Sequence, residues 1–203
     1  MINYLRLFVL ILFVGVITSS CASTKLTHTW IDEAYKGKSF SDFLVIGVSD
    51  QEGIRRSFEG KFVEYLKETG VDALSSADAI TIPEDKKLEK EEILQAVRRN
   101  QNDAVIITHL IGEKKEDVYT PPTVSYGYYG YYNNVYGYVH SPGYYTTHTF
   151  VLLETNLYDA KTEKLIWSGR SETWDSGSEK KMIDEVIRTV TKEMRVNGLL
   201  PGE

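Results

Sequence analysis

Phe43-Leu44-Val45-Ile46-Gly47-Val48, followed at once by Ser49-Asp50-Gln51-Glu52, is the stretch that decides the fold. An apolar run of this length without alternation marks a strand buried on both faces, as in the middle of a parallel sheet. Ser49 stands three residues before Glu52 at the exit of that strand, which predicts a capping box and a helix start. The helix is expected over 51–69, with Ile54, Phe58, Phe62, Tyr65 and Leu66 on one face. Gly70 follows as the left-handed residue that closes such a helix. Val71-Asp72-Ala73-Leu74 then reads as a second, shorter strand.

Working outward toward the C-terminus, residues 75–90 form a polar link containing Pro83, and a short helix follows over 90–100 with Ile93, Leu94 and Val97 turned inward. Asp103 to Leu110 is a third strand. The order β-α-β-α-β predicts a parallel core with right-handed crossovers. From Thr147 to Tyr158 the chain alternates, with Thr149, Val151, Leu153, Thr155 and Leu157 on one side. Asp159-Ala160-Lys161-Thr162 is a turn, and alternation resumes from Leu165 to Trp174, so the two runs form an antiparallel hairpin. Ser176-Gly177-Ser178-Glu179 predicts a second capping box. The closing helix, over 178–196, presents Met182, Ile183, Val186, Ile187, Val190 and Met194, and Gly198 stops it. The expected fold class is α/β. A single domain over 43–200 holds a mixed β-sheet, the antiparallel hairpin and a C-terminal helix.

Between the third strand and the hairpin lies a Tyr/Gly-rich insertion, 119–145. Tyr126, Tyr128, Tyr129, Tyr131, Tyr132, Tyr136 and Tyr138 alternate loosely with Gly127, Gly130 and Gly137. It has neither helical nor clean strand periodicity and exceeds an ordinary loop, so it is expected to bind something or to be disordered. Tyrosine supplies a large amphipathic surface at low entropic cost, and glycine keeps it adaptable. These seven tyrosines are therefore the candidate binding residues.

Outward in the other direction, the chain opens with Arg6, an apolar run from Leu7 to Ile17, and the small residues Thr18-Ser19-Ser20 before Cys21. That is the anatomy of a signal peptide over 1–20. As a helix the run would span about 16 Å, half of a bilayer core, which disfavours a transmembrane reading. Cys21 is the only cysteine in the chain. Without a disulfide partner it needs another explanation. Thr18-Ser19-Ser20-Cys21 resembles a lipobox, although Leu is usual where Thr18 stands. The resemblance implies cleavage before Cys21, acylation of its sulfur and new amine, palmitate being the expected acyl group, and anchoring to a membrane. Two or three acyl chains hold stably where one does not. Ala22 and Ser23, with no Asp, resemble the sorting signal for the outer membrane. Residues 21–42, polar apart from Trp30-Ile31, read as a lipidated tether with a short edge strand at 26–30.

The chain carries 23 basic and 29 acidic residues, a formal charge of −6. Loss of Arg6 with the leader makes the balance more acidic still. An acidic protein lacks the positive footprint that nucleic acid requires. Catalytic signatures are missing. Ser49 lies at a strand–helix turn but outside a G-x-S-x-G pattern. Gly47 and Gly53 have neither P-loop nor dinucleotide spacing, and Asp50 and Glu52 would repel an anion there. His28, His109, His140 and His148 make no metal-binding spacing, although His109 and His148 sit near strand ends that could approach. Runs such as Glu89, Glu91 and Glu92, interleaved with lysine, read as solvated faces. No cofactor, no metal and no enzymatic activity are expected.

Taken together, the lipobox, Trp30-Ile31-Asp32, Phe43–Val48, the aromatic-Gly stretch, Leu153-Glu154-Thr155-Asn156-Leu157-Tyr158-Asp159 and Ile166-Trp167-Ser168 resemble a family of small Gram-negative outer-membrane lipoproteins. The domain of that family has no assigned function. Its members often have Gly where this chain has Glu163. If the position needs a positive φ, Glu there costs about 1 kcal/mol. More distantly, the element order is similar to α/β domains of periplasmic assembly lipoproteins, including the curli-export lipoprotein and the N-terminal domain of the Tol-system propeller protein. The resemblance implies a periplasm-facing cell-envelope module with no enzymatic activity. It would contact the membrane through Cys21 and meet an envelope protein through its Tyr/Gly stretch. A glycan- or small-ligand-binding module is the alternative.

Overall fold

The computed structural model describes residues 23–80, 88–120 and 144–202. Cys21 and Tyr126, Tyr128, Tyr129, Tyr131, Tyr132, Tyr136 and Tyr138 lie outside those residues, as do the leader and most of the insertion. Six strands form one sheet: β1 (Thr24–Ile31), β2 (Asp42–Val48), β3 (Asp72–Ser75), β4 (Ala104–Thr120), β5 (Tyr144–Asp159) and β6 (Leu165–Trp174). Their spatial order is β1-β6-β5-β4-β2-β3. β2 pairs in parallel with β3 and with β4, and every other pairing is antiparallel. The helices are α1 (Glu52–Glu68), the single turn α2 (Ser76–Ala79), α3 (Lys90–Asn100) and α4 (Glu179–Val196). The expected α/β class and mixed sheet are what is found.

The sheet separates two apolar layers. Phe43, Val45, Ile106, Leu157 and Trp167 point to one face and pack against Phe58, Phe62 and Leu66 of α1 and Ile183, Val186, Ile187, Val190 and Met194 of α4. Leu44, Ile46 and Val105 point to the other and meet Ala79, Ala96 and Val97 of α2 and α3. Consecutive β2 residues thus feed opposite layers, which is why the Phe43–Val48 run has no polar member. α1 and α3 lie on opposite faces because their crossovers from β2 and β3 travel in opposite directions and both must be right-handed. The alternation expected along β5 is present, and its inward side is the one that carries Thr155 and Leu157, both buried. At Gly169 of β6 the Trp167 ring lies so close that an added Cβ would come within 2.2 Å of its Cη2.

Both long helices end as expected. Gly70 (φ +78°) and Gly198 (φ +69°) are left-handed. The N–H of Val71 returns to the Leu66 carbonyl, and that of Leu199 to the Met194 carbonyl, at 3.0 and 2.9 Å. The helix starts differ. Ser49 does not cap α1. Gln51 is the N-cap, without a side-chain bond, and the Ser49 hydroxyl accepts the Gln51 N–H at 3.1 Å in a local turn. The Glu52 carboxylate cannot reach back, because Arg55 Nε and Nη2 (both 2.8 Å) and Arg56 Nε (2.6 Å) occupy it. At α4, Gly177 (φ +74°) turns the chain after Ser176, so Ser178 becomes the N-cap and accepts from the Lys181 N–H. The polar link after β3 contains α2, capped by the Ser75 hydroxyl.

Residues 23–42 are held to the domain, and the edge strand expected at 26–30 is present and longer. β1 occupies Thr24–Ile31 and pairs along β6 from Thr24↔Thr173 to Ile31↔Trp167. The segment after it is tied to the end of α4, with Gly37 N–H on the Asn197 carbonyl and Phe40 N–H on the Leu199 carbonyl, both 3.0 Å. Phe40 itself is buried in the core. Thr24 therefore already belongs to the folded sheet, ahead of the start expected at 43, and Ser23 is held by its N–H on Glu185 Oε2 at 3.2 Å.

Candidate functional site

β4 and β5 are longer than the sheet that holds them. β4 has β2 as a neighbour only from Ala104 to His109, and β5 has β6 as a neighbour only from Phe150 onward. From Lys115↔Thr149 to Thr120↔Tyr144 the two strands pair with each other alone. The expected third strand, 103–110, thus continues to Thr120, and the insertion is entered and left through paired strand residues at 119–120 and 144–145. Residues 113–117 carry Glu113, Lys114, Lys115, Glu116 and Asp117, so no apolar alternation advertised this part of the strand; both of its faces are wet.

An unsupported two-stranded ribbon is marginal in water. Here several side-chain contacts accompany the ladder. Tyr119 and Tyr145, directly opposite, place their ring centroids 5.1 Å apart. The Thr147 hydroxyl donates to Asp117 Oδ1 at 2.7 Å. At the base the His148 ring lies 5.8 Å from that of Trp174. Lys114 bridges to Glu116 and also approaches Glu172 at 3.7 Å, while Lys25 of β1 reaches the same Glu172 at 3.1 Å. The tip remains open: Val118, Tyr119, Tyr144 and Tyr145 are 47, 44, 63 and 71% exposed.

The sheet face away from α4 is uncovered toward β1. A cross-strand row runs His28, Arg170, Glu154, His109. On the same face Trp30 and Trp174 are 44 and 42% exposed. Arg170 Nε donates to Glu154 at 2.7 Å and holds that carboxyl below its ordinary range. Lys114 does the same to Glu116, and its own ammonium is pushed up in return. These groups stay ionised through neutral pH and are not poised to exchange protons. His109 and His148 do not approach one another, since their cross-strand partners are Glu154 and Glu116. Among the described residues no group of three His, Asp or Glu side chains could hold a metal.

A buried polar cluster escaped the sequence reading. Glu59 is fully buried and Arg55 nearly so. Glu59 Oε1 accepts from the Gly47 N–H (2.9 Å), the Ser76 hydroxyl (2.7 Å) and Arg55 Nη1 (3.5 Å), and Oε2 accepts from the Ala77 N–H (2.8 Å). The cluster fastens the end of β2, the start of α2 and the middle of α1 together. The Arg55 guanidinium, held charged chiefly by Glu52, completes it. Both carboxylate oxygens accept from within the chain, which makes the cluster a clamp between three elements. At the opposite end of the sheet, a concave region is lined by Tyr35, Lys38, Arg98, Asn102 and Lys161. Asn102 Nδ2 donates to Asp42 at 2.6 Å, while its buried Oδ1 has no hydrogen-bond partner.

No family model matches the sequence, and no curated protein matches it. Several solved structures align with this chain over most of its length. The PelC dodecamer from Paraburkholderia phytofirmans aligns with a TM-score of 0.44 at 10% identity, covering 88% of this chain and 98% of that one. A lipoprotein from Neisseria meningitidis gives 0.42 at 16% identity over 77 and 99%. A putative neuraminyllactose-binding hemagglutinin homolog from Helicobacter pylori gives 0.38 at 13% identity over 79 and 91%. At these similarities neither activity nor partner passes from those proteins to this one. Among the described residues no helix is long and apolar enough to cross a membrane.

Proposed function

We propose that this protein is a cell-envelope lipoprotein, anchored through lipid on Cys21 to the outer membrane. It acts as a non-enzymatic interaction module whose contact surface is the β4–β5 ribbon and the Tyr/Gly stretch that the ribbon carries. The observation that supports this reading is the ribbon itself. It leaves the sheet with exposed tyrosines at its tip, so it contributes nothing to the core that would explain its apolar surface. Tyr126, Tyr128, Tyr129, Tyr131, Tyr132, Tyr136 and Tyr138 follow as further contact residues. The family resemblance of the sequence agrees with an envelope role, and no nucleophile–base–orienter set speaks for catalysis. The test is photocrosslinking in cells from positions 119 and 145, with position 161 at the far end of the sheet as control. The expected result is crosslinked species from the ribbon well above those from 161. Equal, background labelling from all three would refute the reading.

A second reading, a glycan or small-ligand module, is favoured by one observation: the unpartnered Asn102 Oδ1 beside Lys38, Arg98 and Lys161. Buried acceptors without donors are uncommon. Soluble cell-wall fragments added to the labelled protein should then shift the Asn102 side-chain amide resonance, and no shift at millimolar concentration would remove this reading.

A further inference from the structure

The start of β1 and the direction of the ribbon fix where the ribbon tip stands relative to the anchor. Thr24 pairs with Thr173, which pairs with Val151, which pairs with Glu113, so these four residues form one row across the sheet. Cys21 is three residues before Thr24, a reach of at most about 10 Å. From Glu113 the ribbon runs on past that row to Thr120, a further distance of about 24 Å at 3.4 Å per residue. Ser23 is pinned to Glu185 and its carbonyl accepts the Trp174 N–H, so the leash cannot lengthen by peeling back without breaking the edge of the sheet. A lipid on Cys21 therefore brings the membrane surface to the end of the sheet from which the ribbon projects, and the ribbon is longer than the leash.

The chemistry of the tip fits that position. Charges end at Asp117 on one strand, and the last three pairs, Val118↔Thr146, Tyr119↔Tyr145 and Thr120↔Tyr144, are free of them. In the sequence, Val118 to Thr147 contains no Asp, Glu, Lys or Arg, in a chain of which 26% is charged. Tyrosine has the apolar ring and polar tip that concentrate at the headgroup level of bilayers. The inward-facing main-chain groups of the paired tip are satisfied by the ladder, and those on its two outer edges find water and headgroup partners in the interfacial region.

We propose that the ribbon tip, through Val118, Tyr119, Tyr144 and Tyr145, sits in the interfacial region of the same leaflet that holds the lipid on Cys21. This rests on the lipid-anchor reading above and names the partner of the ribbon as that membrane. Two contacts, one acyl and one aromatic, then set the orientation of the domain, with the β5–β6 turn pointing away from the bilayer.

The experiment uses the acylated full chain in vesicles of phosphatidylethanolamine and phosphatidylglycerol. Because Cys21 is the only cysteine, a Tyr145→Cys or Lys161→Cys variant offers a single free thiol for a nitroxide label. Both positions are exposed, so neither substitution disturbs the core. Palmitate labelling is scored first. With palmitate incorporated, the label at 145 is expected to lose accessibility to a water-soluble nickel relaxant and gain it to oxygen, while the label at 161 stays aqueous. Palmitate incorporated with both labels equally aqueous overturns this proposal and leaves the anchor reading intact. In that case a crosslink from position 145 to protein would identify the ribbon's occupant instead. Absence of palmitate overturns the anchor reading and this proposal with it.

Discussion

Glu59→Ala should be the most damaging single substitution among the polar residues of this domain. Truncation leaves two backbone donors, the buried Gly47 N–H and the partly buried Ala77 N–H, without an acceptor, and the Ser76 hydroxyl without its own. It also removes one of the two carboxylates that neutralise Arg55, whose side chain is only 9% exposed. Breaking a buried pair from one side costs about 3–5 kcal/mol, mostly through what is left behind. Glu59→Gln separates the hydrogen-bond part from the rest. An amide oxygen still serves Gly47 and Ser76, but the amide nitrogen faces the Ala77 N–H donor to donor, so about 1–3 kcal/mol should be lost. The assay is urea unfolding of the chain carrying Cys21→Ser, so that lipid plays no part. With a slope of about 2 kcal/mol/M, Glu59→Ala should lower the midpoint by about 2 M and Glu59→Gln by about 1 M, with the slope unchanged. A midpoint for Glu59→Ala within about 0.3 M of the parent would refute the reasoning, since the clamp would then be replaceable by water.

Gly169→Ala should lower the melting temperature by several degrees. The new Cβ would stand 2.2 Å from Trp167 Cη2, and displacing a fully buried indole is overpacking of about 1–3 kcal/mol. An unchanged melting curve and unchanged tryptophan emission would show that the ring moves freely. Glu163→Gly should stabilise by roughly 0.5–1 kcal/mol: φ is +57° there, and the Lys90 bridge it forfeits joins two exposed side chains. A lower melting temperature counts against this. Acid should weaken the fold through carboxylates whose pKa is depressed by partners, led by Glu154 on Arg170 and Glu52 on Arg55. Their contribution is present above the unfolded carboxylate value of about 4.3 and is lost as pH falls through the lower folded values. Urea midpoints at pH 7 and pH 3 check the sign, and Arg170→Ala should reduce the difference.

Where burial imposed a period, the fold was legible. β2 reads as a run because both of its faces are covered, β5 and β6 alternate because one face is, and α1 and α4 repeat at helical spacing. The positive φ at Glu163, which the sequence reading raised as a condition, is what the backbone shows at +57°. Legibility failed where charge or solvent removed the pattern. Arg55 and Glu59, spaced i and i+4, carry no mark of burial in the sequence, and only the Gly47 and Ala77 amides that meet Glu59 in space show that the pair is internal. The outer half of β4 is polar on both sides because nothing packs on it. β1 was read only in part, as an edge strand at 26–30 inside a tether, since most of its residues are exposed and its strand character comes from the β6 edge. Cys21 and the seven central tyrosines were read from composition and motif alone, and the paired strands now locate the two ends of the stretch that carries those tyrosines.

β1 has one more consequence, which is mechanical. Any tension that enters the chain ahead of Ser23 runs along the axis of that strand. Its hydrogen bonds to β6 lie across the axis, so they are sheared together and not unzipped in turn. The N-terminal attachment of this domain should therefore yield abruptly at high force, while a pull applied at the C-terminal end would meet Leu199 and Leu200, the two hydrogen bonds from Gly37 and Phe40, and the helix before them.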